Sequence, residues 1–447
     1  MSQPTTRKTG IPRLFEFAGK YTGQMVASWL FSAISAILSL IPYVCIFFVI
    51  REVFTVAPVM TDMDTDAIAR YGWLAVICAA SSFFIYVVAL LFSHNAAFNT
   101  ARNMKSQVLH HLVTLPMGFH TTNPSGKLRK IINENSDQTD TFIAHQMPDV
   151  VGSLETPVAM IIMLFVFDWK LGLVSIVPLL AGFAILGGMM KNQAGGFLKE
   201  YQNALEDMNN EAVEYVRGIS VVKVFGQTVH SFKSFHASIM RYRDYVIQYT
   251  LAWKRPMSWF TAVINGTFFL LIPAGLLLAV HAGDYKAFVL SFIFYIIFTP
   301  ACAGMLTKIM YVTNYQMIAA EAVSRIDSLL DEQPLPEPVH PKKPHDASLE
   351  FEHVSFSYPG TDMQVLDDIS FSVPVGGTLA LVGPSGGGKS TIASLIPRFW
   401  DVDKGSVRVG GVDVRDMAAH DLMDNLSFVF QNSQLFKASV LDNIRAA

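Results

Sequence analysis

Eight consecutive residues near the C-terminal end of the chain have the composition of a phosphate-binding loop. Residues 383–390 match the pattern G-x-x-x-x-G-K-[ST]. Glycines let backbone N–H groups curl around a phosphate, Lys389 offers a positive charge to the β- and γ-phosphates, and the Ser390 hydroxyl is placed to bind Mg²⁺. The spacing therefore predicts a nucleotide site with a magnesium ion. Its predicted binding residues are Gly383, Pro384, Ser385, Gly386, Gly387, Gly388, Lys389, Ser390 and Thr391.

A loop of this kind works between a buried strand and a helix. Residues 378–382 are a continuous apolar run, which predicts a buried strand, and residues 391–399 predict the start of a helix whose positive end faces the anion. Around this unit, alternating or apolar runs predict further strands and one short helix. The strands are predicted at residues 349–356, 369–373, 406–409 and 426–430, and the helix at 420–425. This alternation is typical of an α/β domain.

The chain before this domain has the composition of a membrane protein. Over all 447 residues the hydrophobic fraction is 51% and the charged fraction is only 15%, whereas soluble domains carry about 25% charge. The deficit of charge lies in this N-terminal part. A helix needs roughly 20 apolar residues to cross a bilayer, and six stretches meet that length. The predicted spans are residues 25–50, 71–92, 147–167, 171–190, 259–280 and 288–306.

The loops between the predicted spans differ in length and charge. Those after the second and fourth spans are long and rich in Lys and Arg, whereas the first loop is acidic at Asp64 and Asp66. The positive-inside rule therefore puts both termini and both long loops in the cytoplasm. Apolar residues at helical spacing predict that the spans continue into these loops as amphipathic helices, with turns near residues 119–126 and 217–218.

A proline-rich segment separates the two halves of the chain. Residues 333–347 contain five prolines, which forbid a helix and favour an extended linker. The predicted organisation is a cytoplasmic segment at residues 1–20, a transmembrane domain at 21–332, the linker, and an α/β domain at 348–447.

Six spans with long cytoplasmic loops, joined to a P-loop domain, resemble an ATP-binding cassette (ABC) half-transporter with the exporter-type (type IV) membrane fold. Tyr358 matches the family's tyrosine that stacks on adenine, and Gln431 matches the Q-loop glutamine that contacts Mg²⁺. Residues 115–128 and 214–223 resemble the two cytoplasmic loops that carry the coupling helices. The resemblance implies a multidomain membrane protein, in which an all-α six-helix transmembrane domain precedes an incomplete α/β P-loop NTPase domain.

The same resemblance implies ATP and Mg²⁺ as cofactors, a lipid bilayer, a small-molecule cargo and a second half-transporter, identical or different, as partner. The family's signature motif, catalytic carboxylate and switch histidine follow the Q-loop, and the sequence ends at Ala447 without them. We therefore expect a chain truncated after the Q-loop, which holds ATP without hydrolysing it. The complete protein would be an ABC-type ATPase coupled to transport.

The expected function is ATP-driven transport, with export as the direction, in a bacterial inner membrane. One alternative is a metal–siderophore importer with the exporter fold. An alternative of another class is a non-transporting nucleotide sensor or an inactive fragment. The net charge of −3 and the lack of a basic amphipathic stripe argue against a nucleic-acid partner.

Polar residues inside the predicted spans are candidates for the cargo path, since ionisable groups at that depth are costly and usually functional. Glu155 is the chief candidate, and the alternatives are a position near the membrane interface or a pairing with a neighbouring helix. Asn265 and Tyr295 are predicted either to line a polar cavity or to form interhelical hydrogen bonds. The three cysteines lie in apolar runs without metal-ligand spacing, and we expect small buried side chains there: Cys45, Cys78 and Cys302.

Overall fold

The computed structural model describes residues 9–56, 63–123, 125–193, 197–224, 233–359, 361, 363–430 and 435–445. The predicted Mg²⁺ contact Gln431 lies outside these residues. Two compact units divide the chain. The helical unit combines Met1–Arg102 with Asp137–Val323, and the sheet unit combines Asn103–Ser136 with Ser324–Ala447. The segment 103–136, which the sequence assigned to the transmembrane domain, thus clusters with the α/β region.

The helical unit is built from long, mostly apolar helices. Within the described residues, six helical stretches are long and apolar enough to cross a membrane, and each predicted span overlaps one of them. The prediction of six spans is therefore confirmed. The helices are α1 Ile11–Ala18, α2 Thr22–Val56, α3 Thr65–Thr114, α4 Met117–Thr122, α5 Ser125–Thr141, α6 Met147–Phe167, α7 Trp169–Gln193, α8 Phe197–Arg217, α9 Ile219–Val224, α10 Lys233–Asn265, α11 Thr267–Ala279 and α12 Tyr285–Leu330.

Aromatic and aliphatic side chains from the later spans form the core of the helical unit. Phe260, Leu271, Phe298 and Leu306 are almost completely buried there. The ring of Phe294, on α12, has its centroid 4.0 Å from that of Phe167, on α6. Such close ring contacts fix the positions of the helices relative to one another, because an interior at this density has no room for sliding.

The third span contains a break in its helical hydrogen bonding. The turn Phe142–Gln146 is a π-helix between α5 and α6, and Pro148 follows it inside the first turn of α6. Proline has no N–H, so it cannot donate to the carbonyl of Ala144, its partner in a regular α-helix. The hydroxyl of Ser93, on α3, donates to that carbonyl at 2.7 Å instead.

Side chains of the first span satisfy two further carbonyls beside this break. The indole N–H of Trp29 donates to the Met147 carbonyl at 2.8 Å, and the Ser32 hydroxyl donates to the Pro148 carbonyl at 2.5 Å. The Ala144 carbonyl thus has a donor on α3 in place of the missing proline N–H, and the two carbonyls beside it have donors on α2.

The sheet unit contains four antiparallel strands, β1 Leu349–Ser357, β2 Gln364–Val373, β3 Lys404–Val409 and β4 Val412–Asp413. They form one sheet in the order β2-β1-β3-β4. Its core includes Phe351, Val354, Phe356 and Val407. The predicted strands at residues 349–356, 369–373 and 406–409 and the helix at 420–425 are confirmed, and residues 332–347 are not helical. The helices of this region are α13 Lys389–Leu395, α14 Ala419–Asp424 and α15 Val440–Arg445.

Two predictions of local structure are wrong, and a third is right only in part. In the described part of the sheet unit, neither residues 378–382 nor residues 426–430 pair with another strand. Val382 and Val429 are exposed there. An apolar run reports a preference for burial, whereas a strand also needs a neighbour for its backbone hydrogen bonds. The turn predicted near residues 119–126 is helical over its first part, because α4 begins directly after Pro116, which occupies the N-cap.

The β1–β2 pair contains two residues in the left-handed backbone region. His353 has φ 48° and Asp368 has φ 51°. The N–H of His353 donates to the Ser370 hydroxyl at 2.9 Å, and the N–H of Asp368 donates to the Ser355 hydroxyl at 3.2 Å. Each irregular N–H is thus satisfied by a serine of the opposite strand. The two side chains meet at 2.6 Å between His353 Nδ1 and Asp368 Oδ1.

Candidate functional site

The predicted phosphate-binding loop has a backbone that requires glycine. Gly386 and Gly388 have φ values of 83° and 77°, in the left-handed region that side chains disfavour. At Gly388 a Cβ would also lie 2.6 Å from Cδ2 of Leu366. The Gly387 N–H donates to the Pro384 carbonyl at 3.1 Å, which tightens the turn. The loop conformation thus depends on the glycines that the motif contains.

Lys389 holds its charge directly against this loop. Its ammonium donates to the carbonyls of Gly383 and Pro384, at 2.9 and 2.7 Å. Residues 383–387 and Ser390 are exposed, so a ligand has access to them. A glycine-folded backbone, a fixed cation and an accessible hydroxyl fit the phosphates of a nucleotide with Mg²⁺.

Tyr358 lies beside the helix that follows the loop. Its hydroxyl is 2.8 Å from Oγ1 of Thr391, which is buried in α13. The Tyr358 ring meets Trp400 edge to face, with centroids 5.1 Å apart, and it meets Phe356 at the same distance. The ring is half-buried, so part of it stays accessible. The structure therefore brings two sequence-predicted residues, Tyr358 and Thr391, together.

A short helix from the cytoplasmic loop lies against the same cluster within the sheet unit. The N–H of Gly118, in α4, donates to the Phe399 carbonyl at 3.2 Å. A Cβ at Gly118 would lie 2.4 Å from the Phe399 carbonyl oxygen and from Nε1 and Cε2 of Trp400. Only glycine permits this approach.

Arg398 fixes the turn that presents Trp400. It has φ 54°, a strained value for a residue with a side chain. Its guanidinium donates to both carboxylate oxygens of Asp401, at 2.7 and 3.1 Å, and to the Pro336 carbonyl at 3.0 Å. The bidentate pair and the linker contact hold the strained turn in place.

The predicted cargo-path residues lie in different environments within the helical unit. One carboxylate oxygen of Glu155 is buried and has no hydrogen-bond partner among the described residues. Asn265 is exposed and donates to the Thr261 carbonyl of its own helix at 2.9 Å. No hydrogen bond between the described residues links Glu155 to Asn265.

Tyr295 is completely buried and bonded. Its hydroxyl donates to the Leu164 carbonyl, lies 2.6 Å from the Asp168 carbonyl, and accepts from the Asp168 N–H at 3.3 Å. It therefore caps the end of α6 from α12. Of the two predictions for Tyr295, the structure contains the interhelical hydrogen bond.

Comparison with protein families places these sites in a known context. The family model described as the ABC transporter transmembrane region matches residues 25–300, more than half of the chain. The chain belongs to the ABC transporter family. A second model, described as ABC transporter, matches residues 366–446, which include the phosphate-binding loop. Membership of the family implies a multi-pass membrane protein with an ATP-binding domain.

The curated relatives of this ABC transporter chain carry two kinds of name. The mycobactin import ATP-binding/permease protein IrtA of Mycobacterium tuberculosis is 33% identical over 85% of this chain and 43% of its own length. Its counterpart in Mycolicibacterium smegmatis is 30% identical over 95% of this chain and 48% of its own length. The ATP-dependent lipid A-core flippase of Escherichia coli K12 is 27% identical over 77% of this chain and 59% of its own length. The chain thus spans about half the length of these relatives.

Sequence reasoning missed two features of this ABC transporter chain. The first is the contact of Gly118 with Trp400, since nothing in the spacing of either residue signals a partner so distant in sequence. The second is an ion pair at 2.7 Å between Lys308 of α12 and Asp149 of α6. Its signal was present, because Asp149 is ionisable and lies in the same predicted span as Glu155.

Proposed function

We propose that this chain is one half of a dimeric ABC transporter that uses ATP to move a small molecule across a bacterial inner membrane. One observation carries the proposal. A loop between two membrane-spanning helices contacts, through Gly118, Phe399 and Trp400, which come shortly after the helix that follows the phosphate-binding loop. A nucleotide-dependent change in the sheet unit would therefore reach α4 through direct contacts.

The nucleotide is bound in this proposal by groups with distinct tasks. The backbone N–H groups of residues 385–390 and the Lys389 ammonium bind the phosphates, and the Tyr358 ring stacks on adenine. Ser390 binds Mg²⁺, together with Gln431. ATP supplies the free energy released when its terminal phosphate is hydrolysed. The geometry of the glycine loop and the bond between Tyr358 and Thr391 support these roles.

The assembled protein would carry out the hydrolysis. These 447 residues contain neither the family's signature motif nor its catalytic carboxylate. A second half-transporter, identical or different, would complete each nucleotide site. The excess of cations in the two long loops supports a cytoplasmic position for both loops and both termini.

The direction of transport has support from two sides. The exporter-type architecture favours export, and this chain also matches a protein named as an ATP-dependent lipid A-core flippase. Uptake is the second candidate, because the proteins named for mycobactin import match at 30–33% over most of this chain.

Glu155 is proposed as a cargo contact. Its buried, unpartnered carboxylate oxygen would accept a hydrogen bond from a cationic or N–H-bearing group of the cargo. Asn265 is exposed and would join the path at a second point. Tyr295 would take part only after releasing Asp168.

Membrane vesicles from cells that carry the native gene test the proposal. Inverted and right-side-out vesicles are loaded with ATP on the cytoplasmic side and offered a lipophilic dye or a metal–siderophore complex. ATP-dependent movement that is absent in Lys389→Ala vesicles is the expected result, and the vesicle type that shows it gives the direction.

Two results would contradict the proposal. If Lys389→Ala abolishes nucleotide binding while neither vesicle type moves any cargo, the chain is a nucleotide sensor and the transport proposal is wrong. If protease digestion cuts the sheet unit only from the outer side of the membrane, the orientation is wrong as well.

A further inference from the structure

We propose that Trp400 is a positioning residue through which the cytoplasmic loop at Gly118 controls how well Tyr358 holds the base of the nucleotide. The proposal rests on the proposed function, because it assumes that Tyr358 stacks on adenine. It adds a residue that would not touch the nucleotide and that acts on base recognition alone.

The indole of Trp400 lies between the two groups that it would connect. On one side, its Nε1 and Cε2 atoms face Gly118 so closely that a Cβ there would lie 2.4 Å away. On another, its ring meets the Tyr358 ring at 5.1 Å with an angle of 85° between planes. Phe356, which also meets Tyr358, lies 6.0 Å from the indole. All of these contacts lie within the sheet unit.

The indole has little freedom to move by itself. Its neighbour Arg398 is held by Asp401 and by the Pro336 carbonyl, and the Phe399 N–H donates to the Ser394 carbonyl at 3.2 Å. A displacement of α4 would therefore be passed on to the Tyr358 ring, because close-packed side chains transmit strain.

The Tyr358 side chain has one further anchor. Its hydroxyl is bonded to Thr391, so the ring pivots about that end when the indole moves. The phosphate loop is anchored separately, through Gly387 and Lys389. Loss of the indole should therefore weaken binding of the base and leave binding of the phosphates intact.

The test compares two probes on the purified full chain: Mg·ATP, and Mg·tripolyphosphate, which has no base. Trp400→Ala and Gly118→Ala are expected to weaken Mg·ATP binding by about fivefold or more, the lower end of the effect of losing an aromatic–base stack. Binding of tripolyphosphate should stay within about twofold of the original value. Trp400→Phe should recover most of the loss.

Two further variants complete the design. Gly126→Ala is the matched control, because Gly126 belongs to the same loop and a Cβ there meets nothing within 4 Å. It should change neither affinity. Tyr358→Ala should lose affinity for Mg·ATP alone, and adding Trp400→Ala to it should cause no further loss, because both act on one stack.

The outcomes separate the two proposals. If Tyr358→Ala weakens Mg·ATP binding while Trp400→Ala and Gly118→Ala do not, the role of Trp400 is overturned and the nucleotide site stands. Equal losses for both probes would overturn it too, since they indicate a merely structural tryptophan. If the original chain binds neither probe, or Tyr358→Ala changes nothing, the assignment of the nucleotide site itself fails.

Discussion

Lys308 and Asp149 form a 2.7 Å ion pair between α12 and α6, two helices far apart in the chain. Tyr86, on α3, donates to the same Asp149 oxygen at 2.9 Å. Three helices therefore meet at one carboxylate. Only part of the lysine is exposed and the carboxylate is mostly buried, so each partner compensates much of the cost of burying the other.

We expect Lys308→Met to destabilise the helical unit by about 1–3 kcal/mol, because Asp149 would keep a buried charge with Tyr86 as its remaining partner. The three buried cysteines give a direct measurement. A maleimide dye reacts with them when heating separates the helices, so the labelling midpoint should fall. Lys254→Met, on an exposed part of α10, is the control. Equal midpoints for both variants would contradict the role of the pair.

The proline break in the third span gives a second prediction. Ser93→Ala leaves the buried Ala144 carbonyl without its donor, at an expected cost of about 1–3 kcal/mol. Pro148→Ala restores an N–H at that point, so the double variant should regain most of the loss. The midpoint of cysteine labelling measures both effects.

A neighbouring serine controls for the loss of a hydroxyl. Ser153→Ala removes a bond of 2.7 Å to the Val150 carbonyl within one helix, and a much smaller effect is expected. Additive effects of Ser93→Ala and Pro148→Ala would show that the two residues do not share a carbonyl.

The pair at the β1–β2 irregularity gives a pH dependence. Asp368 raises the pKa of His353, first because it accepts a hydrogen bond from the imidazole and second through its negative charge. The stabilisation is therefore fully present below the ordinary histidine pKa of about 6.5 and is lost as the pH rises through the raised value.

Histidine-selective NMR titration of the purified chain measures this pKa. Asp368→Asn should lower it towards the ordinary value, and asparagine tolerates the left-handed backbone at this position. Asp367→Asn is the matched control at the adjacent position. If both variants left the titration of His353 unchanged, the pair would not exist in solution.

A further prediction compares Gly388, in the phosphate-binding loop, with Gly376, which lies outside the loop and serves as the control. Gly388→Ala combines a left-handed backbone with a clash against Leu366, whereas Gly376→Ala has a similar φ of 74° and open space around it. Gly376→Ala should cost about 1 kcal/mol of stability and leave Mg·ATP affinity unchanged. Gly388→Ala should abolish binding. Isothermal titration with Mg·ATP distinguishes them, and equal affinities would mean that the loop adapts.

The features that the sequence predicted are those that a local pattern determines. Apolar length predicted the six spans, and a motif with a physical meaning at each position predicted the loop around Lys389. The antiparallel strands followed from alternation. The strand prediction for residues 378–382 failed because pairing depends on a neighbouring strand, and an apolar run carries no information about that neighbour.

The missed contacts share a different cause. Lys308 lies just beyond the predicted end of the sixth span, where a lysine is expected to reach the membrane surface. Its partner Asp149 becomes apparent only when two helices are set side by side. Trp400 follows the helix after the loop, and its contact with Gly118 depends on the arrangement of the whole sheet unit. Such pairs are decided by tertiary structure, which one sequence does not specify.

At the contact between Gly118 in α4 and the indole of Trp400, only one of the two positions can accept a substitution. Every replacement of Gly118 adds a side chain, and the space there does not admit even a methyl group. A smaller residue at position 400 would remove only the clash with the indole, because the Phe399 carbonyl oxygen, a backbone atom, would still lie 2.4 Å from a Cβ at position 118. Among descendants of this sequence, the tryptophan can therefore be replaced while the glycine has to stay.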